Sequence, residues 1–192
     1  MALERFKFKI TGTTPILMNS PLGMKKPGSE TVAKVKKVLA PEEEAASLLY
    51  RNPDGTVYGP AGFKSAIATA AKGMKFGKLG GPGIIKSSVF VPIDGDKIPL
   101  FDPKTKKPLT DKDYVVDSRR AVIPSSGAGI VKSRPRFERW GCVVELDIET
   151  DFVDPVKTVL MLLKKAGQTV GYMDFRPECG GSFGRFDAEL VK

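Results

Sequence analysis

Alternation of apolar with mostly polar residues marks three segments of the chain, residues 5–10, 142–148 and 186–190. Their apolar positions are Phe6, Phe8, Ile10, Cys142, Val144, Leu146, Ile148, Phe186, Ala188 and Leu190. Residues two apart lie on the same face of a strand, so each segment is predicted to be a half-buried β-strand.

Helical spacing of apolar residues marks three other segments. A helix is predicted from Pro41 to about residue 50, because proline suits a first turn and the glutamates that follow complement the helix dipole. A second helix is predicted over residues 60–74. A third starts at Asp154 and is expected to end at Gly167, a favourable C-terminal residue. Between them, residues 77–83 are predicted as a glycine-rich loop and 87–93 as a strand.

The region from 114 to 148 reads as a long β-hairpin or meander, with strands over 114–123 and 130–148 and a Gly- and Ser-rich tip at 124–129. Strands and helices are grouped along the chain more than they alternate. The predicted fold is therefore α+β, with helices on one face of a mostly antiparallel sheet. We expect a single domain over 1–192, with a basic insertion at 19–40 and a hairpin at 114–140.

Composition adds a strong positive charge to this picture. The 192 residues include 31 Lys+Arg and 22 Asp+Glu, a net charge of +9, which indicates a polyanionic partner, most often nucleic acid. The alternative is a basic protein without such a partner. Histidine is absent, which excludes Ser–His and Cys–His catalysis. Two cysteines cannot form a four-thiolate zinc site, and no cofactor or metal is predicted.

Charge is concentrated in residues 118–140, where six basic residues face one acid, a local charge of +5. The basic residues are Arg119, Arg120, Lys132, Arg134, Arg136 and Arg139. Phe137 and Trp140 lie among them, and arginines beside exposed rings bind single strands by neutralising phosphates and stacking on bases. The alternative is that both rings belong to the core and the arginines form a solvated face.

A glycine-rich segment at 180–186 is the second candidate contact. Gly181 and Gly184 would let backbone N–H groups approach a phosphate, and Arg185 is predicted on the polar face of the last strand. The alternative is a tight turn into that strand. Lys25 and Lys26, in the basic insertion, extend the predicted nucleic-acid contact.

Catalytic motifs are missing: the sequence contains neither a phosphate-binding P-loop nor a dinucleotide-binding fingerprint. Asp117 beside two arginines leaves a metal-dependent nuclease as an alternative, but no catalytic residue is assigned. The charged N-terminus does not resemble a secretory signal, and the longest apolar run, 159–163, is far short of a membrane span. We therefore expect a soluble cytoplasmic protein with no membrane partner.

Residues 10–18, together with 166–177 and 184–186, resemble RAMP-type proteins, which have ferredoxin-like (RRM-like) folds. The likeness is to backbone subunits of CRISPR effector complexes and to short phage proteins of similar pattern. It implies a sheet with a protruding "thumb" hairpin near 125–129, a contact arm at 19–40, and Arg176 among the binding residues.

The resemblance also implies head-to-tail assembly along single-stranded RNA or DNA, alone or with other subunits of a ribonucleoprotein complex. Relatives that cleave RNA use histidine or a loop aspartate, and this chain lacks histidine. The prediction is a non-catalytic single-stranded nucleic-acid-binding protein that multimerises. The alternative from the phage likeness is a protein in the host cytoplasm that mimics or inhibits a CRISPR backbone subunit.

Overall fold

A computed structural model describes residues 3–21, 39–122, 127 and 129–191. Its longer strands are β1 (Leu3–Gly12), β8 (Val115–Val122), β9 (Gly129–Phe137), β10 (Gly141–Glu149) and β11 (Phe186–Val191). The shorter ones are β2 (Ile16–Leu17), β3 (Tyr58–Pro60), β4 (Lys75–Phe76), β5 (Leu79–Gly80), β6 (Val89–Phe90) and β7 (Lys97–Pro99). The α-helices are α1 (Pro41–Ser47), α2 (Phe63–Ala70), α3 (Gly81–Ser88) and α4 (Met161–Thr169). The described fold is thus α+β with mostly antiparallel sheets, as predicted.

The main sheet has four antiparallel strands in the order β11–β1–β10–β6. The three alternating segments of the sequence form its three long strands, which confirms those predictions. Helices α2 and α3 lie between β1 and β6 in the chain, and α4 lies between β10 and β11. Apolar residues on one face of the sheet are buried with these helices in a common core.

The β1–β10 pair continues into the predicted hairpin. After a short break, β2 pairs with β9, with Ile16 opposite Phe137, and β9 pairs along its length with β8. The hairpin therefore extends from the end of the ladder where Thr11 meets Gly141, opposite the end where Leu3 meets Glu149. Its strands confirm the predicted hairpin. Most of its tip, at 123–126 and 128, and residues 22–38 of the basic insertion lie outside the described residues.

Trp140 is at the centre of the core. Its ring is fully buried, stacks on Tyr172 at 5.7 Å between centroids, and meets Phe186 edge-on at 6.3 Å. Its indole N–H donates to the Thr14 carbonyl at 2.9 Å, which satisfies the only polar atom of the side chain. A Cβ at Gly12 would lie 2.2 Å from that nitrogen, so the ring needs a glycine beside it.

Three local predictions were wrong. The helix predicted over 60–74 covers only Phe63–Ala70, because Tyr58–Pro60 pairs with β7 as strand β3. Residues 87–93 are not one strand, since α3 continues to Ser88 and only Val89–Phe90 is extended. Pro82 in the first turn starts that helix within the segment 77–83 predicted as a glycine-rich loop, which also contains β5. The helix predicted to end at Gly167 instead continues past it, and α4 ends at Thr169. Gly167 is there for close packing, because a Cβ would lie 1.9 Å from the Phe186 carbonyl oxygen.

The start of the last helical segment agrees with the prediction. Asp154 accepts hydrogen bonds from the backbone N–H groups of Val156 and Lys157, both at 2.8 Å. A π-helical turn, Pro155–Leu160, then leads into α4. Among the described residues, no helix has the length and apolar character needed to cross a membrane.

Candidate nucleic-acid interface

The β8–β9 register brings four predicted contact residues onto one face of the hairpin. Arg119 is opposite Lys132, Asp117 is opposite Arg134, and Arg136 follows two residues beyond Arg134 on the same side. The structure therefore gathers these four cations on one face. We call this face the hairpin face.

Acidic residues neutralise most of the hairpin face. Asp117 is buried, and both of its carboxylate oxygens accept hydrogen bonds from Arg119. One of them also accepts from Arg136 Nη1 at 2.7 Å. The hydrogen bond from Arg119 is the largest cause that lowers the pKa of Asp117, and that from Arg136 adds to it against desolvation. This carboxylate is ionised and fully engaged.

The remaining two cations of this face also have partners. Arg134 is buried, and its Nε lies 2.7 Å from a carboxylate oxygen of Asp174. Lys132 donates to the side-chain oxygen of Asn19 at 2.8 Å, and burial lowers the pKa of its amine. The hairpin face is thus an ion-pair network that joins the hairpin to the rest of the fold, with little net charge left for a phosphate.

The segment from 171 to 184 packs beneath this network, and we call it the glycine loop. The Arg119 guanidinium lies 4.6 Å from the ring centre of Phe183 and 5.9 Å from that of Phe175. Positive φ angles occur at Gly171, Met173, Phe175, Gly180 and Gly184. Two non-glycine residues in that region mean that the surrounding contacts hold the backbone in a costly conformation.

The predicted phosphate cradle of the glycine loop is wrong. The N–H of Gly181 donates to the Arg176 carbonyl at 3.0 Å, and that of Gly184 donates to the Pro15 carbonyl at 2.8 Å. Neither N–H is left for a ligand. A Cβ would lie 1.8 Å from the Phe175 carbonyl oxygen at Gly181 and 1.9 Å from that of Tyr172 at Gly184. The glycines serve the turn, which was the alternative interpretation.

The two predicted stacking rings are not available either. Phe137 is 1% exposed and Trp140 is 0% exposed, so the core alternative is the correct one for both. Arg139 pairs with Asp102 at 3.0 Å. Arg176 pairs with Glu178 at 2.9 Å.

Only two of the predicted arginines keep a free charge. Arg120 and Arg185 are exposed and pair with no described carboxylate. Lys25 and Lys26 lie outside the described residues.

A basic surface that the sequence reading missed lies on the helices. Residues 55–93 contain five lysines and no acid, and residues 155–173 contain three lysines and no acid. The eight are Lys64, Lys72, Lys75, Lys78, Lys86, Lys157, Lys164 and Lys165. We call them the lysine surface. The absence of acids from both stretches is visible in the sequence and indicates an unbalanced basic surface. The +5 excess at 118–140 is larger locally, but most of its charges are paired in the fold.

Packing joins the two stretches into one layer, since α2 lies against both α3 and α4. The amine of Lys165 on α4 is 3.9 Å from the sulfur of Met74, which follows α2. The amine of Lys64 on α2 donates to the Lys86 carbonyl on α3 at 3.1 Å. None of the eight lysines pairs with a described carboxylate, and all except the half-buried Lys64 are exposed.

The outer face of the main sheet carries paired charges instead of unpaired lysines. Ion pairs join Arg5 to Asp147 at 2.7 Å and Lys7 to Glu145 at 2.8 Å, across β1 and β10. The outward positions of β1, β10 and β11 carry no aromatic residue. These three strands therefore offer no ring for base stacking.

A search of protein-family models gives no match to the chain, and a comparison with curated proteins finds no significant match.

Proposed function

We propose that the protein is a non-catalytic binder of single-stranded nucleic acid that assembles into multimers along its ligand. The observation that carries the proposal is the lysine surface, whose eight lysines occur in two stretches that contain no acid. Phosphate binding by lysine does not require a precise orientation of the side chain, and it gains free energy by releasing counterions from the nucleic acid. Unpaired lysines on one layer suit that ligand better than the paired arginines of the hairpin face.

The strand order supports a ferredoxin-like assignment for the main sheet. Its four strands follow one another in the chain as β1, β6, β10 and β11, with helices after the first and third, and they lie in the order fourth, first, third, second. This is the β-α-β-β-α-β arrangement of that fold. It supports the resemblance to RAMP-type proteins, and with it a single-stranded ligand.

The nuclease alternative based on Asp117 has little support. A divalent cation bound there would lie beside the guanidinium groups of Arg119 and Arg136, which already balance the charge of Asp117 and would repel it. The described residues include no group of three or more potential metal ligands.

Head-to-tail assembly is supported by the two ends of the long ladder. The hairpin end exposes Arg120 beside Val131, which is 72% exposed. The opposite end exposes Leu3 and Phe152, 59% and 60%, near the carboxylate of Glu149. The two ends have opposite charge and both expose apolar side chains, so one end of a molecule is complementary to the other end of the next. Repeated head-to-tail contacts of this kind make an open filament.

The test is charge reversal on the lysine surface. We expect Lys72→Glu with Lys165→Glu to weaken binding of a labelled single strand at least tenfold by fluorescence anisotropy. In a salt titration, log affinity should fall less steeply, because each lost phosphate contact changes the slope by about 0.7. The matched control is Lys104→Glu with Lys107→Glu, in a segment, residues 94–113, where five lysines face five aspartates.

The control variant carries the same change in net charge, so it separates a local surface from overall attraction. Equal weakening by both variants would assign the binding to net charge alone. A wild-type slope near zero would remove the electrostatic account altogether.

A further inference from the structure

We propose that a cleft beside α2 receives one unstacked nucleobase of the bound strand, so that the protein reads a base as well as phosphates. This inference rests on the proposed function. The cleft has a volume of about 350 Å³, in the range of small-molecule sites. Ser65 and Thr69 of α2 form one wall, and Val170, Met173 and Arg176 are on the other.

The cleft offers hydrogen-bonding groups without partners. The hydroxyls of Tyr50, Ser65 and Thr69 form no hydrogen bond with a described residue. Asn19 uses its oxygen to hold Lys132, which leaves its amide N–H groups free of described partners. Hydroxyls and an amide match the donors and acceptors on the edge of a base.

The lining also excludes a phosphate. Two carboxylates, Asp174 and Glu178, lie in the cleft, and each is paired with an arginine, Arg134 at 2.7 Å and Arg176 at 2.9 Å. Their charges are balanced, and a phosphate that displaced either guanidinium would face the carboxylate left behind. An uncharged ligand with a flat apolar face meets no such penalty.

Apolar surfaces for such a ligand come from both sides. The ring of Tyr50 is half-buried at the cleft and contacts Tyr58 edge-on at 5.7 Å. Met173 presents its side chain from a residue with φ of +64°, a strained conformation that places it in the cleft lining. Strain of this kind is concentrated at ligand sites in proteins.

The cleft lies between two basic positions that a bound nucleic-acid strand would cross. Ser65 and Thr69 are one helical turn apart on α2, and Lys72 follows Thr69 by three residues. Lys72 belongs to the lysine surface and lies just beyond α2. At the other end, Asn19 leads to Lys132 of the hairpin face. A strand with phosphates at Lys72 would pass over the cleft opening, where one base turns inward.

The experiment compares a normal single strand with an abasic strand of equal length and phosphate count, by anisotropy. We expect the wild type to bind the normal strand at least about fivefold more tightly. Filling the cleft with Ser65→Leu and Thr69→Leu should abolish this preference and leave the abasic affinity and salt slope unchanged. The matched control, Ser182→Leu with Thr105→Leu, should keep the preference.

The outcomes separate the two proposals. Equal wild-type affinity for both strands overturns the cleft and leaves phosphate binding standing, and so does a preference that survives in the filled variant. Failure of both strands to bind overturns both proposals. If the filled variant does not fold, Tyr50→Phe decides, because it removes one hydroxyl and keeps the ring: the preference must shrink, and an unchanged preference overturns the cleft.

Discussion

At the scale of single residues, the glycine loop shows how crowding of the backbone fixes residue choice. Gly181 has an ordinary φ, yet a methyl group there would overlap the Phe175 carbonyl. Gly180, next to it, has open space around it but a φ of +76°. Adjacent glycines are therefore required for different reasons, one for contact and one for conformation.

Gly181→Ala is expected to lower the free energy of unfolding by about 2 kcal/mol, because the backbone must move to admit the methyl group. Urea denaturation measures it. The affinity of the folded fraction for a single strand should not change, since the Gly181 N–H is already bonded to Arg176.

Gly83→Ala is the control for this substitution, because nothing lies within 4 Å of the added Cβ. It should be neutral or stabilising by about 0.5 kcal/mol. If affinity falls in fully folded Gly181→Ala protein, the glycine loop contacts the ligand after all.

At the scale of elements, Asp117 fastens the β8–β9 hairpin. It links β8 to β9 through Arg136, and it also bonds Arg119 of its own strand, which covers Phe183 of the glycine loop. The Glu44 carboxylate of α1 accepts the Ser133 N–H of β9 at 2.9 Å. The hairpin is anchored at its base by the ion pairs of the hairpin face and by this contact with α1.

Asp117→Asn is expected to cost about 1–3 kcal/mol of unfolding free energy at neutral pH, because two guanidinium groups lose their acceptor. The folded pKa of Asp117 is depressed, so its contribution is present above the unfolded-state pKa of about 3.9 and is lost as pH falls through the lower folded value. The difference in stability between wild type and variant should therefore shrink below about pH 4. Denaturation at several pH values measures it.

Asp96→Asn is the comparison variant for this experiment, since Asp96 is exposed and pairs with no described cation. It should leave stability unchanged across the same range. A difference for Asp117→Asn that stays constant down to pH 2 would contradict the role of its charge.

At the scale of the whole molecule, the charge is divided into regions of different kinds. Helices α2, α3 and α4 and the segments beside them carry the eight lysines of the lysine surface, the hairpin carries arginines paired with acids, and residues 94–113 contain five charges of each sign. The lysine surface therefore holds a charge of +8, close to the net charge of +9, while most of the charge on the hairpin is balanced. The field at the lysine surface is the feature that a polyanion would meet first.

Assembly along a strand is the expected behaviour of the whole molecule. Arg120→Glu, at the basic apolar end, should reduce the number of copies that load cooperatively on a long single strand in sedimentation velocity. Lys112→Glu, with the same charge change in the balanced 94–113 segment, should not. Identical loading by the two variants would contradict the head-to-tail arrangement of these ends.

Local geometry made much of the fold readable in the sequence. The side chains of a strand point to the same face every two residues, so the three alternating segments identified β1, β10 and β11. The Gly- and Ser-rich tip identified the β8–β9 hairpin. Pro41 and Asp154 marked two helix starts for equally local reasons. These features depend on neighbours within a few residues, which the sequence displays directly.

The partners of the charged side chains were decided only by the tertiary structure. Arg139 meets Asp102 across 37 residues, and Trp140 meets Thr14 across 126. The lysine surface was visible as two acid-free stretches, but only the packing of α2 against α4 makes them one layer. Ion pairs and burial depend on distances through space between residues far apart in the chain, and no local pattern records those distances.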